Sequence, residues 1–263
     1  MTHRFIARFL GFFLLSSFVL AAEPEVPAIP ASELAARLVA KQQGTSYIRV
    51  RMETPGGTAK VIQLQIKSRV SQRGADLVYQ VLFPKERKGE AVLLHRSGNR
   101  INGTLLNPAG AFRTLGATDL DEPLFGSALS FEDVIDDFFA WSQQAIVGTG
   151  EIDRIACQIL ESKPGKGQRS SYSSVRTWVD PRRLVPLRIE KYSGKGQLLR
   201  QIAVTRITLD GGDSIPVNLS VRGPRGVVTE IDGSRIKRGI TFTDAEFTPE
   251  GLKRMTVPHE APE

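Results

Sequence analysis

The chain of 263 residues has one cysteine, Cys157. A lone cysteine excludes an intrachain disulfide. It lies in Arg154-Ile-Ala-Cys-Gln-Ile-Leu160 with no activating neighbour, and is read as a small strand residue rather than a reactive thiol. There are three histidines, His3, His95 and His259, isolated from one another. None has zinc-ligand spacing, so no metal is expected. There is no Gly-x-Ser-x-Gly elbow of the kind that carries a serine nucleophile. Gly194-Lys195-Gly196 lacks the loop length and trailing Ser or Thr of a phosphate cradle and reads as a hairpin turn. The acidic groups Asp136-Asp137 and Asp119, Asp121, Glu122 have no regular calcium-ligand spacing. On a helix, Asp136 and Asp137 would face away from the apolar stripe and into solvent. No catalytic residue and no cofactor is expected, and hence no enzyme.

Charge of one sign is not concentrated anywhere. The formal net charge is +7, and two of the positive residues, Arg4 and Arg8, belong to the leader described next. The remaining Lys and Arg are scattered through strand-like segments beside acids, as on a solvated sheet face, so no nucleic-acid partner is expected. Residues 1–22 read as a secretory signal peptide. Arg4 and Arg8 form the basic region, Phe9 to Leu20 the apolar one, and Ala21 and Ala22 supply small residues for cleavage. That run falls short of the roughly 20 residues of a membrane span. No later segment has such a run, so the mature chain is expected to carry no transmembrane span and to lie in an exported compartment.

What is abundant is alternation. Ile48, Val50 and Met52 alternate with Arg49, Arg51 and Glu53, and Ile62, Leu64 and Ile66 alternate with Gln63, Gln65 and Lys67. Period two means strands with one wet and one dry face. Further strands are expected over 77–83, 90–95, 99–105, 144–148, 154–163, 173–180, 185–192, 198–209, 215–221 and 235–243. Gly- and Pro-rich turns separate them, which predicts a meandering antiparallel sheet. Residues 23–31 read as a flexible lead-in, 32–41 as a short helix and 106–119 as a long loop. One domain is expected over 32–256, with a last helical turn or two in 247–255 and a loose tail at 257–263.

One segment breaks the alternation. Phe131, Val134, Ile135, Phe138 and Phe139 fall at helical spacing, with Trp141 close behind. Ser130 and Asp133 form a capping-box-like start. The spacing predicts one amphipathic helix from 131 to 141 with a large apolar face to cover. A core plug and a lid over an apolar groove both fit it.

Four stretches resemble a known family. They are Val81-Leu-Phe-Pro-Lys-Glu-Arg-Lys-Gly-Glu-Ala-Val-Leu-Leu94, Pro123-Leu-Phe-Gly-Ser-Ala-Leu-Ser-Phe-Glu-Asp133, Ile159-Leu-Glu-Ser-Lys-Pro164, and Trp178-Val-Asp-Pro-Arg-Arg-Leu-Val-Pro-Leu-Arg-Ile-Glu190 with the Gly196-Gln-Leu-Leu-Arg200 that follows it. Together they resemble the outer membrane lipoprotein-sorting proteins, relatives of the lipoprotein carrier LolA, over about residues 45–255. The resemblance implies a mainly β fold: a curved antiparallel sheet forming a half-open barrel, with a few helices as lid and an apolar cavity for acyl chains. It also implies that the exported compartment is the periplasm. The expected partner is a lipoprotein or other acyl lipid, with an inner-membrane transporter as a further candidate. The candidate acyl-chain residues are Ile48, Val50, Met52, Ile62, Leu64, Ile66, Phe131, Val134, Ile135, Phe138, Phe139 and Trp141. Arg49 and Arg51 are the candidates for locking the lid. A sensor module of the same fold, recognising a partner protein or mislocalised lipoprotein, is the alternative.

Overall fold

The structure, a computed structural model, describes residues 28–56 and 60–256. The expected signal peptide, most of the lead-in, His3, His259 and the tail at 257–263 lie outside the described residues. After helix α1 (Ala31–Gln42) come strands β1 (Gly44–Glu53), β2 (Val61–Ser71), β3 (Gly74–Phe83), β4 (Ala91–Ser97), β5 (Arg100–Leu106) and β6 (Phe112–Leu115). A long crossing holds the short helix α2 (Phe131–Ile135). It leads to β7 (Gln143–Ile152), β8 (Ile155–Lys163), β9 (Ser174–Asp180), β10 (Val185–Tyr192), β11 (Leu198–Asp210), β12 (Asp213–Arg222) and β13 (Val228–Arg238).

All thirteen strands form one antiparallel sheet, ordered β6-β5-β4-β3-β2-β1-β13-β12-β11-β10-β9-β8-β7. Neighbours in sequence are neighbours in space except at the seam, where β1 pairs β13 from Ser46–Arg238 to Glu53–Glu230. The sheet is not closed. Its edges are β6 and β7, and the chain between them, residues 116–142, crosses the inner face. The result is a half-open barrel with a lid.

Two apolar cores lie on that inner face. In the first, Val50, Met52, Ile62, Leu64, Leu77, Val81, Val92 and Leu94 pack against Leu124, Phe125, Phe131 and Ile135 of the crossing. In the second, Leu34, Ala35 and Leu38 of α1 pack with Phe138, Phe139, Trp141, Leu160, Val175 and Val179. On the outer face, Val78, Ala91, Leu93 and Leu106 are covered by Leu252 and Phe247 of the C-terminal segment. That strap is pinned by Lys67, whose Nζ lies 3.0 Å from Glu246 Oε1 and 2.6 Å from Thr256 Oγ1.

Several expectations are corrected. The 131–141 segment is not one helix. Helix α2 ends at Ile135, Asp136 turns extended (ψ 151°), and a separate 3₁₀ turn spans Phe138–Ala140. The break lets Phe131 and Ile135 serve the first core while Phe138, Phe139 and Trp141 serve the second. The expected loop at 106–119 contains β6, which pairs β5 from Gly103–Leu115 to Leu106–Phe112. Strand β13 starts at Val228, well before 235. Gly233 sits mid-strand. A Cβ there would lie 2.6 Å from the Val217 carbonyl oxygen, so the close approach of β12 requires glycine. Nor is every strand cation on a wet face, since Lys67, Lys191 and Arg200 are buried.

Candidate functional site

The lid begins with a helix start built from its own sequence. The backbone N–H of Ser130 donates to Asp133 Oδ2 (2.7 Å), and the N–H of Asp133 donates to Ser130 Oγ (3.2 Å). This reciprocal capping box orients the Asp133 carboxylate toward the sheet. There it meets two cations of the far half. Lys191 Nζ of β10 lies 3.0 Å from Asp133 Oδ1, and Arg200 Nε of β11 lies 2.8 Å from Oδ2. Asp133 and Lys191 are 0% and 1% exposed. Tyr172 completes the cluster by donating its hydroxyl to Asp133 Oδ1 (2.8 Å). Arg200 also donates through Nη1 to the Ala128 carbonyl of the lid backbone.

The same crossing brings further acids inside. Asp136 Oδ2 lies 3.7 Å from Lys191 Nζ. Glu132, buried, accepts from Ser170 Oγ (2.5 Å) and from the Ser171 N–H (3.0 Å). Asp137 pairs with Arg96 of β4 at 2.9 Å. Asp136 and Asp137 therefore do not face solvent as the helical projection implied, because the break at Asp136 rotates both inward. Lys191 Nζ also stands 4.7 Å from the centre of the Tyr172 ring and 5.3 Å from that of Phe138, a cation–π arrangement.

These environments split two neighbouring carboxyls. Burial alone would push Asp133 up, yet Lys191 and Arg200 hold it below the usual carboxylate range. Asp136 goes the other way: burial, with the nearby charges of Glu132 and Asp133, raises it to about 6 against the pull of Lys191. Lys191, although buried, is raised, because the surrounding acids outweigh its desolvation. On the outer face, burial pushes the Cys157 thiol up to about 11, which leaves it an inert thiol.

Beside the lid, an apolar pocket of about 310 Å³ opens at one end of the barrel. Ile48, Leu38, Phe139, Leu184, Ile215 and Ile236 line it. Its rim is polar: Asp213 is paired with Lys41 (3.3 Å) and Arg238 (2.9 Å). The volume sits at the lower end of the roughly 300–1,000 Å³ typical of ligand pockets.

The residues expected to hold an acyl chain thus have three placements. Ile48 and Phe139 line the open pocket. Val50, Met52, Ile62, Leu64, Phe131 and Ile135 are buried against one another in the first core, with Ile66 and Val134 half-buried beside them. Phe138 and Trp141, with Phe139, belong to the second core. Arg49 and Arg51 alternate with the apolar residues of β1 and so project from the other side of the sheet. Arg49 Nε donates to the Tyr47 hydroxyl (2.9 Å), and Arg51 pairs with Glu53 (2.7 Å). The lid contact sought in them is made by Arg200. One signal marks Arg200 and Lys191 in the sequence: each is in phase with an apolar residue on its strand, Arg200 with Ile202 and Lys191 with Ile189.

A family model whose description reads "uncharacterized protein" matches residues 75–254, more than half of the chain. The chain belongs to this family. No curated protein matches it. Solved structures of the same fold include a DUF1329 family protein from Desulfovibrio piger. It is 24% identical with a TM-score of 0.77, over 84% of this chain and 97% of that one. A domain described as an outer membrane lipoprotein-sorting protein, from Vibrio parahaemolyticus, is 20% identical with a TM-score of 0.77, over 85% and 98%. A LolA superfamily protein from Nitrosomonas europaea is 18% identical with a TM-score of 0.66, over 84% and 98%. The chain thus has the LolA-like fold. Among its described residues, no helix is long and apolar enough to cross a membrane, and no group of three or more His, Cys, Asp or Glu is arranged to hold a metal ion.

Proposed function

We propose that the chain is a periplasmic carrier of acyl-bearing cargo, a lipoprotein or another lipid, which it holds beneath the lid and moves toward the outer membrane or an envelope transporter. One observation carries this reading. The inner face of an unclosed sheet is covered by a crossing segment that pairs with no strand of the sheet, and an apolar pocket lies open beside it. Periplasmic export rests on the leader at 1–22, and the sorting role on the solved domain described as a lipoprotein-sorting protein.

In this mechanism an acyl chain enters at the Ile48–Phe139 mouth. It extends along the first core as Phe131 and Ile135 withdraw. Each methylene buried contributes about 0.8 kcal/mol, so a long chain matches the apolar contacts it displaces. Asp133, gripped by Lys191 and Arg200, keeps the lid attached while its apolar side moves. Carriage requires no bond to be made or broken.

Native mass spectrometry of the protein purified gently from the periplasm, with lipid extraction of the same sample, tests the proposal. The expected result is a mass excess that extraction removes and a fluorescent fatty-acyl probe restores. An apo mass with no probe uptake overturns it. A second reading, an interaction module of the same fold, draws on the way the lid's own side chains fill the first core. A stable complex with a periplasmic partner, formed while the interior stays empty, would favour that reading.

A further inference from the structure

A second cavity borders the lid loop that precedes α2. It measures about 800 Å³ and is lined by the β4–β5 turn, the lid loop at 117–120 and the loop between β8 and β9. Two arginines face it, Arg100 from the first residue of β5 and Arg169 from the β8–β9 loop. Both are exposed, and neither guanidinium has a hydrogen bond or ion pair among the described residues. Four arginines that contact or neighbour the lid are engaged by contrast: Arg87 with Glu90, Arg96 with Asp137, Arg113 with Glu122 and Arg200 with Asp133. The one acid in the lining, Glu132, is already held by Ser170 and Ser171. The cleft therefore presents two guanidinium groups with no ion-pair partner among the described residues, one from each half of the sheet, against a single carboxylate. Below them, Ile101 and Leu120 form an apolar floor and pack against the first core.

We infer that this cleft binds the anionic, phosphate-bearing headgroup of an amphiphile, with Arg100 and Arg169 on the phosphate and the first carbons of its chain on Ile101 and Leu120. Guanidinium forks match phosphate oxygens in geometry as well as charge. A bound phosphate would bridge the two sheet halves across the lid loop, so the headgroup would report to the lid that cargo is present. The inference rests on the carrier reading and names the headgroup class that this carrier prefers.

The test compares dodecyl phosphate and dodecyl maltoside, which share a chain and differ in headgroup, binding to the purified protein by calorimetry below their micelle concentrations. Dodecyl phosphate is expected to bind about tenfold more tightly, with the preference shrinking as salt is added. In the double variant Arg100→Gln, Arg169→Gln the preference is expected to vanish while dodecyl maltoside binds as before. Equal affinities in the parent, or a preference that survives in the double variant, overturn the inference and leave the carrier reading standing. Inorganic phosphate binding as tightly as dodecyl phosphate also overturns it, since the chain would then contribute nothing. Failure of both detergents to bind removes the carrier reading and the inference together.

Discussion

The lid is fastened to the two halves of the sheet by different physics. Toward β1–β6 it inserts Leu124, Phe125, Phe131 and Ile135 into an apolar core. Toward β10 and β11 its Asp133 is gripped by Lys191 and Arg200. Apolar contact is non-directional and any hydrocarbon can substitute for it. A buried ion pair is directional, and neither partner tolerates loss of the other. An acyl chain can take the place of Phe131, but nothing in a lipid tail can take the place of Asp133. In the proposed carrier the ionic side would serve as the hinge and the apolar side as the part that yields.

Breaking the ionic side should have the largest effect. Lys191→Met leaves Asp133 with Arg200 alone and Asp136 with no cation in the interior, and should cost about 3 kcal/mol or more of stability in denaturant unfolding. Acyl ligand should not restore it. On the apolar side, Phe131→Ala should cost about 3 kcal/mol. Added fatty-acyl ligand should recover part of that loss, because the chain fills the space the ring vacates and binds only the folded state. Recovery in both variants, or in neither, would erase the distinction between the two sides.

The contrast is legible in sequence on one side only. Apolar residues of β1 and β2 declare their face by alternation, and the structure pairs them as that pattern demands, from Gly44–Val70 to Glu53–Val61. The ionic side is faint, because alternation marks polar residues as wet by default and only the phase of Lys191 with Ile189 and of Arg200 with Ile202 points the other way. Lys191 and Arg200 escape that rule through Asp133, 58 and 67 residues away in sequence, which no local window contains. The break at Asp136 was hidden for a related reason. Phe131, Ile135, Phe138 and Phe139 fit helical spacing whether or not the helix is continuous, and only two separate cores decide the matter. Strand β6 was missed because three of its four residues are exposed, so it shows no alternation.

A smaller effect separates the two acids of the ionic side. Asp136 is raised from 3.8 to about 6, so it holds its proton more tightly in the folded chain than in the unfolded one. Its favourable contribution is complete below about pH 4 and is lost as pH rises through about 6. Asp133, depressed, contributes above its unfolded value and loses that as pH falls through its folded one. Asp136→Asn should therefore raise stability at pH 7.5 by about 1–2 kcal/mol and change it little at pH 4. Thermal unfolding at the two pH values checks this, and an equal change at both would contradict it. The smallest effect is expected on the outer face, where Arg51→Ala should shift stability by less than about 0.5 kcal/mol and leave acyl-probe uptake unchanged.

The seam between β1 and β13 has a consequence for how the chain is made. Arg51 finds its partner at Asp232, and Tyr47 at Lys237. The second strand of the barrel's central pair thus leaves the ribosome last, after all the others. Until it arrives, β1 and β12 each present a bare edge, and only the lid and α1, not the sheet, can join the halves on either side. Contacts this distant along the chain form slowly. A nascent chain built this way stays unfinished through nearly all of its synthesis, the condition in which a polypeptide can still be threaded across a membrane.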